Sequence, residues 1–131
     1  MLDKLLYRLK EHEGFDGKPY RDTEGYLTIG YGTKLPITQY EAGLLLKSRL
    51  DDTIKTMINH RPDVLNLPED KQYIIYEMAY QIGVQGVLKF KKMWKALERE
   101  DFKEASNQML DSKWAIQTPN RAGELASMME E

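Results

Sequence analysis

Residues 14–32 hold Gly14, Gly17, Gly25, Gly30 and Gly32, five of the chain's nine glycines, together with Pro19, and the sequence on either side is helical in pattern. Glycine and proline at that density stop helices and favour turns. Between them stand Tyr26, Leu27, Thr28, Ile29 and Tyr31, residues that suit extended backbone. The stretch therefore predicts a small antiparallel sheet turning at Thr23-Glu24-Gly25. Upstream, Leu2, Leu5, Leu6 and Leu9 recur at i, i+3, i+4 and i+7, the stripe of an amphipathic helix over residues 2–13 that Gly14 can end. Downstream, Thr38-Gln39-Tyr40-Glu41 is a capping box. Behind it Ala42, Leu45, Leu46, Leu50, Ile54, Met57 and Ile58 keep helical spacing, which predicts a long connecting helix over about 38–59. Past Pro62, Pro68 opens a further helix through Tyr73, Ile74, Glu77, Met78 and Gln81, which Gly83 closes. Shorter helical segments follow over Phe90 to Glu98, from Asp101, and from Thr118-Pro119, where Thr118 reads as an N-cap. The expected class is α+β, mainly α, in one domain of 131 residues: first helix, N-terminal sheet lobe over about 14–37, connecting helix, and helical C-terminal lobe over about 60–131.

Composition narrows the chemistry. With 19 basic and 21 acidic side chains the net charge is −2 and the pI is near 5.8, so the chain has no basic footprint for nucleic acid or anionic membranes. It has no cysteine, which removes disulfides, thiolate nucleophiles and cysteine-ligated zinc. Two histidines, His12 and His60, do not make a metal site, and no phosphate-binding loop, dinucleotide fingerprint or H-E-x-x-H is present. Neither metal nor cofactor is expected. The opening MLDKLLYRLKEHEG interrupts its leucines with charge, so neither a signal peptide nor a membrane span is expected there.

Carboxylates remain. Glu13 closes the first helix, where the negative end of the helix dipole disfavours ionisation, the condition a general acid needs. Asp22 follows in the glycine-rich segment. A carboxyl on a helix end and one on a sheet turn can face each other across a groove, as glycoside hydrolysis requires. Spacing alone leaves an ordinary reading open for both, since glutamates at helix ends and aspartates before turns are common. The same holds for the tyrosines and tryptophans, which can stack on sugar rings or fill a core.

Glu13-Gly14, Tyr20-Arg21-Asp22-Thr23-Glu24-Gly25-Tyr26 and Leu27-Thr28-Ile29-Gly30-Tyr31-Gly32 resemble the signature of the phage lysozymes of glycoside hydrolase family 24. A second block resembles the C-terminal lobe of the same family: Gln81-Ile82-Gly83, Gly86, Phe90, Ser112-Lys113-Trp114 and Gln117-Thr118-Pro119-Asn120-Arg121. The resemblance implies a two-lobed lysozyme fold, with the first helix packing on the C-terminal lobe and a peptidoglycan strand in the cleft. It implies hydrolysis of the β-1,4 bond between N-acetylmuramic acid and N-acetylglucosamine, with inversion. Glu13 would protonate the glycosidic oxygen, Asp22 would act on the opposite side of the sugar, and Thr28 would help hold the attacking water. Inversion needs the two carboxyls about 6.5 to 9.5 Å apart. By the same resemblance Arg121 pairs with the glutamate and Glu24 meets Lys113 across the cleft. Tyr31, Gln81 and Phe90 fall at substrate-binding or supporting positions, where Gln81 can bond sugar hydroxyls or Trp114, and Phe90 can be core. An endolysin of this kind acts as a monomer in host cell lysis, held in the bacterial cytoplasm until a holin opens the way to the periplasm and wall.

The chain departs from the family pattern in places. Thr33 and Arg49 stand where a histidine and its acidic partner are common, the stretch between Thr33 and Ile37 is short, and the last C-terminal segment of the family is absent. Alternatives that keep the same residues in view are a lytic transglycosylase, a non-catalytic wall-binding module, and a lysozyme domain detached from a larger tail or effector protein.

Overall fold

The computed structural model describes residues 1–131 and divides into two units, Met1–Leu45 and Leu46–Glu131. The first begins with α1 (Leu2–Glu13), whose first turn carries Asp3 and whose end is set by Gly14 at φ 69°, its amide bonded to the Lys10 carbonyl at 3.0 Å. Its leucine stripe is formed as the spacing predicts, yet α1 has no buried residue. Three antiparallel strands follow in the order β1 (Asp16–Arg21), β2 (Leu27–Gly30) and β3 (Thr33–Lys34). Tyr20 stands opposite Thr28 and Arg21 opposite Leu27, while Thr28 faces Lys34 on the other side. The β1–β2 register is irregular between Asp16 and Tyr20, the interval that holds Pro19, which has no amide to give to the ladder. Thr28 is the one buried side chain of this unit.

The hairpin turn closes where the sequence predicts. Asp22 donates its amide to the Tyr26 carbonyl at 2.9 Å and Gly25 donates to the Asp22 carbonyl at 3.0 Å. α2 (Gln39–His60) then starts on the predicted capping box: Glu41 N donates to Thr38 Oγ1 at 3.1 Å, and Thr38 N donates back to Glu41 Oε1 at 2.9 Å. The hydrogen bonds from Thr38, first its backbone amide and then its side chain, hold the Glu41 carboxyl below its ordinary value of 4.5. Of the apolar α2 positions, only Met57 is buried outright, with Ile54 and Ile58 partly covered.

The second unit is helical. A 3-10 turn (Pro62–Asn66) leads into α3 (Glu69–Ile82), α4 (Val84–Leu88), α5 (Lys91–Glu98), α6 (Phe102–Leu110), α7 (Lys113–Gln117) and α8 (Pro119–Glu130). Its core is rich in methionine: Met57, Met78, Met93, Met109 and Met129 are wholly buried beside Val64, Ile75 and Val87. Unbranched thioether chains fill the irregular spaces that short helices leave when they meet at varied angles. The two buried polar side chains of this unit, Ser106 and Lys71, are bonded. Ser106 Oγ donates to the Ala126 carbonyl at 2.7 Å, joining α6 to α8, and the buried Lys71 Nζ donates to the Met128 carbonyl at 2.8 Å, joining α3 to α8. Asp101 caps α6 through the Glu104 amide at 3.1 Å, and Ser112 caps α7 through the Ala115 amide at 3.1 Å. Thr118 precedes Pro119 as expected but gives α8 no side-chain cap. Its hydroxyl donates backward to the Trp114 carbonyl at 3.0 Å.

Thr38→Ala removes one half of the box that starts α2 and is expected to cost about 1 kcal/mol, read as a lowered midpoint of thermal unfolding by circular dichroism. The Glu41 half has a lowered carboxyl, so its contribution is complete above the ordinary value of 4.5 and fades as pH falls through the lowered one. The difference between wild type and Glu41→Gln should shrink on acidification.

Candidate active site

Glu13 is the last residue of α1 and is exposed. Its carboxyl lies against Gly32, just before β3. A Cβ built on Gly32 would stand 2.5 Å from Glu13 Oε2 and 2.8 Å from its carboxyl carbon. Gly32 also has φ +75°, a conformation that side chains disfavour. Two separate constraints thus require glycine there, and one of them is the space that the Glu13 carboxyl occupies.

Asp22 lies just past β1, half-buried. One of its oxygens is committed to the turn: Oδ1 accepts from the Glu24 amide at 3.0 Å and from the Tyr26 amide at 2.8 Å. Two amides on a single oxygen fix the direction of the carboxylate. They leave Oδ2 for a further partner. Glu24 itself is exposed and takes part through its backbone. Thr28, directly across the hairpin from Tyr20, donates its hydroxyl hydrogen to the Tyr26 carbonyl at 2.8 Å. With that proton used, what the hydroxyl can offer a water is its lone pairs. Asp22, Tyr26 and Thr28 are therefore one bonded group: Tyr26 gives its amide to the aspartate and its carbonyl to the threonine. Tyr31 packs against Phe15 with ring centroids 5.5 Å apart, and Lys10 Nζ stands 5.5 Å from its ring centre.

In the second unit, Gln81 takes the protein partner rather than standing free. Trp114 Nε1 donates to Gln81 Oε1 at 2.9 Å, and Gln81 Nε2 reaches Thr118 Oγ1 at 3.5 Å. Phe90 is partly buried against the core and meets Trp114 edge-on at 6.2 Å. Lys113 opens α7 and is exposed. Arg121, in the first turn of α8, donates through Nε to Glu77 Oε2 at 3.1 Å.

Sequence reasoning passed over that glutamate as a site residue. The signal for it was present: a cation in the first turn of a helix sits at the positive end of the dipole and calls for a nearby anion. Glu77 stands four residues before Gln81, on the same face of α3, as Arg121 stands three after Thr118 on α8. The two contacts, Gln81 to Thr118 and Glu77 to Arg121, are successive rungs between these helices. Beside them runs a groove of about 560 Å³ lined by Leu46, Leu50, Ile54 and the rings of Tyr73, Tyr76 and Tyr80. Burial raises the Tyr76 hydroxyl above its ordinary value, and the Glu69 carboxylate bonded to Tyr73 raises that one.

The chain matches the phage lysozyme family over residues 10–127. It belongs to that family. Among curated proteins it is 28% identical to probable T4-type lysozyme 1 of Dictyostelium discoideum, across 99% of this chain and 95% of that protein. It is 26% identical to probable T4-type lysozyme 2 of the same organism over the same shares. It is also 30% identical, over 92% of this chain, to the pre-baseplate central spike protein Gp5 of Enterobacteria phage T4, in which the match spans 26% of the length. Its fold, mainly helical with a small N-terminal antiparallel sheet, is the α+β lysozyme class expected from the sequence. As a phage lysozyme the protein is a glycoside hydrolase, and the matched region includes Glu13, Asp22 and Thr28. No helix is long and apolar enough to cross a membrane.

An asparagine in place of Asp22 keeps an oxygen for the Glu24 and Tyr26 amides but removes the charge. Asp22→Asn should therefore unfold within about 1 kcal/mol of wild type while Asp22→Ala loses more; if the carboxylate acts in the reaction, both lose turnover of peptidoglycan together. Gly32→Ala should cost about 1 kcal/mol or more through its positive φ, and it must push the Glu13 carboxyl aside. With Glu13 as the acid, a drop in turnover of about tenfold or more is expected.

Proposed function

We propose that this phage lysozyme is a muramidase of the endolysin type, hydrolysing the β-1,4 bond between N-acetylmuramic acid and N-acetylglucosamine in bacterial peptidoglycan with inversion. Glu13 gives its proton to the glycosidic oxygen as the bond to the muramic carbon breaks. A water attacks that carbon from the opposite side of the ring and passes a proton to Asp22. Thr28 accepts one hydrogen of this water, which turns an oxygen lone pair toward the carbon.

The observation that carries the reading is the bonded group of Asp22, Tyr26 and Thr28. It leaves one carboxylate oxygen and one hydroxyl lone pair free on the same hairpin of a family lysozyme. A transglycosylase needs no held water, and the free oxygen of Asp22 would then have no part in the reaction. The family resemblance supports further parts of the proposal: the α1 leucine stripe packs on the helical lobe, Arg121 shares its guanidinium with Glu13, and Glu24 meets Lys113. An exposed pair such as the last contributes about 1 kcal/mol or less. The protein works as a monomer on the wall, collecting in the host cytoplasm until a separate holin opens the membrane.

Purified peptidoglycan incubated with wild type and with Glu13→Gln, followed by mass spectrometry of the soluble products, tests the reading. Wild type alone should release muropeptides with a reducing muramic-acid end. Anhydro ends would make the protein a transglycosylase, and binding to the wall without release would make it a wall-binding module.

A further inference from the structure

The first unit has almost no core, since Thr28 is its one buried side chain and α1 buries nothing. No backbone hydrogen bond joins α1 to the sheet. Something else must decide where the end of α1, and with it Glu13, stands relative to the hairpin that carries Asp22 and Thr28. The contacts available are few and lie close together. Lys10 Nζ stands 5.5 Å from the centre of the Tyr31 ring, Phe15 packs on the same ring at 5.5 Å and 51°, and the Glu13 carboxyl lies on Gly32. Lys10 and Glu13 are one turn apart on the same face of α1, and Tyr31 and Gly32 are neighbours in the turn between β2 and β3.

We propose that Tyr31 is a positioning residue for Glu13: its ring, held between Phe15 and Lys10, fastens the Gly30–Gly32 turn to the last turn of α1 and so sets where the carboxyl sits. This rests on Glu13 being the acid of the reaction. The ring supplies both interactions, aromatic packing and the face over which an ammonium is attracted, and neither uses the hydroxyl. Phe15 and Tyr31 are 71% and 46% exposed. Substitution there removes little buried surface, so loss of fold is separable from loss of position.

The test compares wild type, Tyr31→Ala, Tyr31→Phe and Lys10→Met on soluble peptidoglycan fragments. Tyr31→Ala should lower kcat about tenfold or more with KM changed less than about twofold, since a misplaced acid slows chemistry and leaves binding in place. Tyr31→Phe should return kcat to within about twofold of wild type, with Lys10→Met falling between the two. Unchanged kcat in Tyr31→Ala overturns the proposal. So does a loss confined to KM that Tyr31→Phe fails to rescue, which would make the tyrosine hydroxyl a sugar contact. A second readout is independent of turnover: in Tyr31→Ala the backbone amide resonances of Glu13, Gly14 and Gly32 should shift and exchange faster, while those of α6 and α8 stay as in wild type. Unmoved amides overturn the proposal. If these amides move as expected but Glu13→Gln hydrolyses peptidoglycan like wild type, the clamp stands and the role of Glu13 fails.

Discussion

Asp22 Oδ1, accepting two backbone amides, is the interaction on which the small unit depends. A three-stranded sheet with a two-residue third strand and a single buried side chain gains little from burial, so its shape is set by where backbone groups find partners. One carboxylate oxygen satisfies Glu24 and Tyr26 together, and the hairpin that results fixes the Tyr20 to Thr28 register. A carboxyl has two oxygens, and this division lets one hold the turn while the other remains for chemistry. The same residue can therefore be required for folding and for reaction without conflict.

The helical unit is built on the opposite principle. Its buried methionines, Trp94 and Trp114 supply apolar area, each wholly buried side chain of that size being worth about 1.5 to 3 kcal/mol. Polar contacts then choose among the ways such helices can pack. Gln81 is the instructive one: bonded to Trp114 and near Thr118, it joins α3 to α7 and to the start of α8. A buried indole N–H without that oxygen would lose about 1 to 3 kcal/mol. The exposed Glu77 to Arg121 pair contributes less to stability. Its weight lies in placing a cation at a helix start, where the backbone dipole opposes it.

Much of this was legible in the sequence, and the boundary is physical. Local chemistry could be read: Gly14 ends α1, Thr38 and Glu41 start α2, α6 begins after Asp101, and the turn falls at residues 23–25, because each depends on residues within four of one another. What escaped were contacts between segments far apart in the chain. Thr118 had a cap's identity and position, but its hydroxyl found the Trp114 carbonyl instead. Glu77 looked like an ordinary helical glutamate until a helix 44 residues later presented Arg121. The α1 stripe shows the limit from the other side. Periodicity predicts an apolar face correctly and says nothing of what covers it.

The candidate site follows the same boundary. Glu13, Asp22 and Thr28 were selected by their spacing within a family signature, and their identities could be read directly. The hydrogen-bond roles could not, and they bear on the mechanism. A threonine whose proton is free could donate to a water, turning its lone pair away from the sugar. Thr28 has already given its proton to Tyr26, so a water bound there must donate and keep a lone pair for attack. In the proposed mechanism Asp22 Oδ2 would accept the water's second hydrogen. Under the proposed mechanism, two acceptors on one hairpin would hold both hydrogens of a water and leave its oxygen to react, the arrangement that direct attack by water requires and a transglycosylase does without.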